Sequence, residues 1–204
     1  MPPSFDLELK SGGIVAGFDE VGRGPWAGPV VAAAVILNPA NTPEGINDSK
    51  KLSAPRREKL FDQIMTSAQV GIGAASVEEI DQLNILQASL LAMRRALANL
   101  PLKPDHALVD GNRDPGLGIS TQCVVKGDSL SFSIAAASII AKVTRDRMMK
   151  NLALLHPEYG WERNAGYGTA EHQKALKLVG ITPFHRKSFA PIRESMTQDS
   201  DVTN

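Results

Sequence analysis

The 204-residue chain predicts one α/β domain with a mixed sheet and helices over its faces. Three observations carry that prediction. Short apolar runs bounded by Gly, Pro or polar residues recur along the chain and read as buried strands. Between and after them stand segments of helical periodicity. No repeat, low-complexity block or linker divides the chain, whose length is within reach of one domain with a sizeable core. The expected domain spans residues 1–204, with an ordered core over about 14–192 and a polar tail over 196–204.

Taken in order, Ile14–Asp19 reads as a buried strand and Pro29–Leu37 as a second. A glycine-rich turn joins them, so a hairpin is the economical link. Asn38–Asn47 is a loop. Ser53-Ala54-Pro55 starts a helix to about Met65, with Ser53 as N-cap. Gln69–Ala75 reads as a third strand. Ser76 and Glu79 form a capping box before one long helix, in which Leu86, Leu90, Met93, Leu97 and Leu100 share a face. Pro101 and Pro104 end it. His106–Val109 is a strand ending in Asp110-Gly111, and Ile119–Val125 another ending in Lys126-Gly127-Asp128. A second long helix is expected from about Ser129 to Leu155. Gly166-Tyr167-Gly168 forms a turn, Thr169 caps a helix to Val179, and Gly180 closes it. Ile181–Pro191 is a loop, and the tail from about Met196 is expected to be disordered.

Charge narrows the function classes. The net charge is zero, which argues against a strongly cationic nucleic-acid binder. Its distribution is uneven: residues 1–125 hold 11 Lys/Arg against 14 Asp/Glu, residues 126–193 hold 11 against 5, and the tail from Glu194 holds 0 against 3. A basic C-terminal half facing an acidic site suits an enzyme acting on a polyanion; a solvated surface of uneven charge is the plainer alternative. The one cysteine, Cys123, excludes an intramolecular disulfide and fits a reducing, cytoplasmic setting. Met1–Lys10 does not look like a secretory signal, and the apolar runs are too short to span a bilayer, so no membrane association is expected.

Three predicted strands end in acid: Asp19-Glu20, Asp110 and Asp128. If those strands are parallel neighbours, the four acids gather at the carboxyl edge of the sheet, where α/β proteins place ligands. Carboxylates so close repel one another unless cations compensate them. Oxygen-only donors suit Mg²⁺ or Mn²⁺ and not Zn²⁺. Two ions about 3.5–4 Å apart would clamp the attacking and leaving oxygens of a phosphodiester displacement. His106, His156, His172 and His185 lack ligand spacing. Beside the first acids, Gly22-Arg23-Gly24 offers backbone N–H groups and a guanidinium suited to a phosphate. Singly, each acid has a plain alternative: a turn at Asp110-Gly111, an N-cap at Asp128, surface acids at Asp19 and Glu20. The repeated placement favours the metal reading.

These residues resemble a known family, the type 2 ribonucleases H (ribonuclease HII). The match runs from about Ile14 to Ile192. Its opening signature stands here as Gly17-Phe18-Asp19-Glu20-Val21-Gly22-Arg23-Gly24-Pro25, followed by Ala27-Gly28-Pro29-Val30-Val31. Further blocks are Asp48 to Ser53, Ile80 to Ile85, Val109-Asp110-Gly111, Lys126-Gly127-Asp128, Ala137 to Asp146, Gly166 to Thr169 and His185 to Pro191.

The resemblance implies an RNase H-like fold: a five-stranded mixed sheet flanked by helices, with extra C-terminal helices. It implies endonucleolytic cleavage of RNA paired with DNA, including nicking 5′ of single ribonucleotides embedded in duplex DNA. The mechanism would use two metal ions, Mg²⁺ or Mn²⁺, and leave 3′-hydroxyl and 5′-phosphate ends. The work served would be removal of misincorporated ribonucleotides and RNA primers. Asp19, Glu20, Asp110 and Asp128 fall on the family's metal-binding catalytic carboxylates. Gly22, Arg23 and Gly24 fall on the turn that reads the ribose 2′-hydroxyl, and Tyr167 on the tyrosine that packs on the neighbouring deoxyribose.

Lys50, Asn84, Ser138, Lys142 and Arg145 are candidate contacts to the nucleic-acid backbone, the last three sharing one helical face at i, i+4 and i+7. A solvated polar stripe is the alternative for that face. His172, His185 and Arg186 read as structural or phosphate-positioning groups, and Trp26 as packing. Ribonuclease HIII carries a lysine version of the turn, against Arg23 here, and type 1 ribonuclease H lacks the Asp19-Glu20 adjacency. A catalytically silent hybrid binder gains nothing from four acids, and a resolvase-type nuclease does not need the Gly-Arg-Gly and Tyr167 pair. Met196–Asn204 has no aromatic pair of the kind that docks a sliding clamp, and a monomer is the default.

Overall fold

The computed structural model describes residues 2–201, and the side chains of residues 2–197. The apolar runs become five strands: β1 (Val15–Val21), β2 (Val30–Ile36), β3 (Gln69–Ala75), β4 (His106–Asp110) and β5 (Ser120–Val124). Their order across the sheet is β3-β2-β1-β4-β5. β1 runs antiparallel to β2 and parallel to β4, and β4 runs parallel to β5. β1 is thus central, and Val15–Asp19 are buried, as a strand with partners on both edges requires. The expected mixed sheet is present. β1 extends two residues past Asp19, because Glu20 and Val21 still pair with Ala32 and Val31.

The described residues also form eight α-helices: α1 (Asp6–Ser11), α2 (Ala54–Ser67), α3 (Val77–Leu83), α4 (Ile85–Ala98), α5 (Phe132–Leu155), α6 (Trp161–Asn164), α7 (Ala170–Val179) and α8 (Ala190–Asp201). Contacts divide the chain into two units: Met1–Val21, Val31–Ala74 and Ser89–Thr144 make the first, and Gly22–Val30, Ala75–Ala88 and Arg145–Asn204 the second.

In the first unit, Ala33, Val35 and Leu37 from the β2 segment pack with Leu60 and Ile64 of α2 and Ile139, Ile140 and Val143 of α5. Leu60 and Ile64 are wholly buried, each stabilising the fold by about 1.5–3 kcal/mol. Gly17 in β1 lets α5 lie close: a Cβ there would meet the main chain of Ser133 at 2.2 Å. The start of α5 is capped from afar. Ser131 Oγ accepts from Ile134 N at 3.1 Å, and Glu8 of α1 accepts from Ser131 Oγ at 2.6 Å and from Ser133 N at 2.9 Å. This corrects the expected start at Ser129, which instead lies in a single 3₁₀ turn, Gly127–Ser129.

In the second unit, Tyr159, Trp161, Met149, Ala175, Leu176 and Ile192 form an apolar core. The single long helix expected after Ser76 is in fact α3 and α4. The capping box is present at Ser76 and Glu79, but Asn84 breaks the run at φ 69°. Its Oδ1 accepts from Leu86 N and Gln87 N at 3.0 and 3.1 Å, so one residue stops α3 and caps α4. The disordered tail is likewise corrected. α8 continues through Asp201, anchored by the fully buried Ile192. Residues 202–204 of that expected tail lie outside the described residues.

Candidate active site

The first unit gathers acids. Asp19 and Glu20 lie near the end of β1. The β1–β4 register pairs Phe18 with Val109, so the next residue on each strand is Asp19 and Asp110. β5 lies beside β4 with Val124 opposite Asp110, and the chain then turns through Lys126 at φ 59° to bring in Asp128. Gly127 N donates to Asp110 Oδ1 at 2.7 Å, fastening that turn to β4. The parallel arrangement required by the sequence is therefore present.

These acids act on one another's charge. Burial, then Glu20 and Asp110, push the Asp19 carboxyl well above its ordinary range; Asp128 pushes the same way, and a hydrogen bond from Glu20 N at 2.7 Å opposes them. Asp128 is also raised, first by burial and then by Asp48 and Asp110, while Lys50 pulls it back. Lys50 Nζ stands 3.6 Å from Asp128 Oδ2. Burial alone would lower the Lys50 ammonium, but Asp128, Asp19, Asp48 and Asp110 together hold it above its usual value.

Among the described residues, no three His, Cys, Asp or Glu side chains are closed into a metal cage. The donor set nevertheless fits a hard divalent cation. Its donors are oxygens, and the buried Asp19 anion faces three other carboxylates, a repulsion that an added positive charge offsets. Asp48 is a participant that sequence reasoning passed over. It is buried, hydrogen-bonds the Asp128 side chain and accepts from Lys50 N at 2.9 Å. Its signal was the Asp48 to Ser53 block, from which the sequence reading took Lys50 as a candidate contact but gave Asp48 no role.

The second unit carries the glycine turn. Gly22 adopts φ +100°, and a Cβ on it would meet Arg145 Nε at 2.2 Å. Arg186, wholly buried, donates from Nη2 to Gly22 O at 2.6 Å, from Nη1 to Arg23 O at 3.0 Å and from Nε to Gly28 O at 3.0 Å. Burial and the Arg145 charge pull its guanidinium down to about 9, so it stays cationic at neutral pH. Tyr167 is 49% exposed, with Cε1 3.3 Å from where a Cβ on Gly24 would sit. Tyr167 and the turn are therefore neighbours.

Two expected backbone contacts are corrected. Arg145 is 1% exposed, and its Nε, Nη1 and Nη2 donate to the carbonyls of Pro29, Ala165 and Ala27 at 2.8, 2.9 and 3.0 Å. Five fixed donors suit a guanidinium to tying loops together, and here they are turned inward. Ser138 is also buried, donating to Ser49 Oγ at 2.6 Å. Lys142 is half-buried, and Lys50 and Asn84 are exposed.

A mixed sheet of this order, with acids at the ends of its parallel strands, is that of an RNase H-like fold. Comparison with solved structures agrees: the chain is similar to the ribonuclease H2 from Pyrococcus horikoshii OT3, with TM-score 0.76 and 28% identity, covering 93% of this chain and 99% of that one. The ribonuclease HII family profile matches residues 16–192. Ribonuclease HII of Jannaschia sp. is 61% identical over 193 residues, covering 94% of this chain and 97% of that one; that of Paramagnetospirillum magneticum is 62% identical over 198 residues, covering 95% and 98%. The chain belongs to the ribonuclease HII family. It is an endonuclease and hydrolase of the ribonuclease H type, and its family cuts the RNA strand of RNA/DNA hybrids. Among the described residues no helix is long and apolar enough to cross a membrane.

Proposed function

We propose that this chain also nicks duplex DNA 5′ of a single embedded ribonucleotide, leaving 3′-hydroxyl and 5′-phosphate ends. Asp19, Glu20, Asp110 and Asp128 are the ligands of a two-ion Mg²⁺ or Mn²⁺ site, and residues 1–204 act as one catalytic domain. The observation that carries this is the buried Asp19, pressed by Glu20, Asp110 and Asp128 at adjoining strand ends.

Divalent ions bound there would lower the pKa of the attacking water and neutralise the leaving oxygen. The chain's own residues do the rest. The Gly127 N–H fixes the Asp110 carboxylate. Lys50 and Asp48 flank Asp128 and hold its position. Lys50, Lys142 and Asn84 meet the nucleic-acid backbone. Gly22-Arg23-Gly24, two residues beyond Glu20 in the chain, approaches the ribose closely and reads the 2′-hydroxyl that separates RNA from DNA. Tyr167 packs on the next sugar, where it has room only if that sugar lacks the hydroxyl. Such cleavage serves the removal of misincorporated ribonucleotides and RNA primers.

The deciding assay compares a duplex carrying one ribonucleotide with its all-DNA twin, in Mg²⁺ or Mn²⁺. Cleavage is expected only at the ribonucleotide. Equal cutting of both, or none of either, overturns the proposal.

A further inference from the structure

The Tyr167 ring is half exposed, so its placement comes from the main chain beneath it. That main chain is held at both ends. Tyr167 N donates to Asn164 O at 2.9 Å, and Tyr167 O accepts from Thr169 N at 2.8 Å and from His172 Nδ1 at 3.0 Å. His172 in turn meets His185, Nε2 to Nε2, at 3.0 Å. The next residue is Arg186, whose guanidinium grips the Gly22, Arg23 and Gly28 carbonyls. We propose that the His185–Arg186 dipeptide is a positioning element that holds Tyr167 and the Gly22-Arg23-Gly24 turn in one arrangement. This rests on the reading that those two features sense the ribose.

The hydrogen bonds determine where every proton lies. Thr182 N donates to His185 Nδ1 at 2.9 Å, so the His185 ring proton is on Nε2. That proton points at His172 Nε2, which also faces Trp161 Nε1–H at 3.3 Å. His172 must therefore carry its proton on Nδ1, directed at the Tyr167 carbonyl, which can only accept. Two main-chain groups at the ends of the series, Thr182 N–H and Tyr167 C=O, thus select both tautomers. Neither ring has freedom to exchange roles, and both are wholly buried.

The dipeptide's own loop is pinned. Gly28 N donates to Phe184 O at 2.9 Å and Arg186 N to Trp26 O at 2.8 Å, making a bridge between Ala27 and His185. Lys187 N and Ser188 N donate to Asp81 at 3.0 and 2.9 Å. His185 and Arg186 are joined by one peptide bond, so a shift of either is felt by both parts of the sensor. Rejecting one extra hydroxyl by contact needs such fixed spacing, since sub-ångström looseness would admit both sugars.

The test uses substitutions that split the histidine's two nitrogens. His172→Asn keeps a donor at the Nδ1 position; His172→Gln places its amide at the Nε2 position and removes the donor to Tyr167. The readout is the ratio of cleavage rates on a single-ribonucleotide duplex and on a continuous hybrid, with thermal midpoints measured in parallel. Tyr167→Ala is expected to lower the ratio. His172→Gln is expected to lower it about three- to tenfold, the worth of one hydrogen bond, and to add nothing in the Tyr167→Ala background. His172→Asn is expected to stay within about twofold of the parent.

A purely structural role would shift the midpoints and leave the ratio alone. A folded His172→Gln protein with the parental ratio, beside a Tyr167→Ala protein that has lost it, overturns the positioning role only. A Tyr167→Ala protein that keeps the ratio overturns the ribose-sensing reading and this proposal with it. Should His172→Gln not fold, His185→Asn, which loses the Nε2 donor, against His185→Gln, which keeps it, gives the same comparison with the same deciding outcomes.

Discussion

Gly22→Ala separates what the glycine turn does for folding from what it does for catalysis. The new methyl group would stand 2.2 Å from Arg145 Nε, 2.6 Å from its Cδ and 2.9 Å from Pro29 O. None of these can yield cheaply, because Arg145 is buried and its Nε donates to that same Pro29 carbonyl. Alanine at φ +100° costs about 1–3 kcal/mol in backbone strain. Displacing Arg145 from one charge-assisted hydrogen bond adds about 1.5–3 kcal/mol. Together the loss is roughly 2.5–6 kcal/mol, a large share of the ~5–15 kcal/mol that keeps a domain folded. Gly24→Ala is the internal control: it has no positive φ, and its methyl meets only Tyr167 Cε1, at 3.3 Å. It should cost less than about 1 kcal/mol while moving Tyr167 by a few tenths of an ångström. Equilibrium urea unfolding followed by circular dichroism gives both values. A Gly22→Ala protein within about 1 kcal/mol of the parent would refute the reasoning, as would equal losses at the two glycines.

Asp110→Asn should keep the fold, since an amide oxygen can still accept from Gly127 N, yet lower cleavage by at least about 10²-fold; loss of the unfolding transition would show the acid to be structural. Acid should weaken the second unit through His185. Burial, then the His172 charge, lowers its folded pKa to about 3 from 6.5, so the unfolded state takes the proton first. Stability is intact above about pH 6.5 and falls as pH drops towards the folded value, by about 2 kcal/mol at pH ~5. Raised carboxyls such as Asp19 act with the opposite sign, so the check is the difference in slope between the parent and His185→Gln; equal slopes would contradict it. Hybrid binding should weaken steadily with added salt as phosphate counterions are exchanged for Lys and Arg, and a flat response would count against phosphate contacts.

What was legible in the sequence was what local rules decide. The Ser76–Glu79 capping box and the Thr169 cap appear as read, because each is closed by residues within one turn. The Asp19, Glu20, Asp110 and Asp128 convergence was legible as a condition: it follows once the strands that precede these acids are parallel neighbours, as β1, β4 and β5 are. The break at Asn84 was hidden by leucines that keep one periodicity through α4, although Asn is a residue that tolerates positive φ. The inward role of Arg145 was not legible, since its Pro29 and Ala27 partners lie 116 and 118 residues away and helical spacing made it part of a polar stripe. The α5 cap by Glu8 escaped for the same reason, at a separation of 125 residues from Ser133. α8 was missed because its composition is polar and, among its described residues, Ile192 alone is buried.

The strand order sets a timetable for synthesis. β1 and β2 emerge together and can pair, but the other edge of β1 waits for β4. From Ile36 to Asp110 is 74 residues, roughly 4–15 s of translation at 5–20 residues per second. Throughout that interval Val15 to Phe18 present an unpaired apolar edge, the kind that recruits strands from other nascent chains. Asp19 and Glu20 stand at its end. Before they meet any metal or substrate, these two charges make that edge a poor template for a stranger's strand.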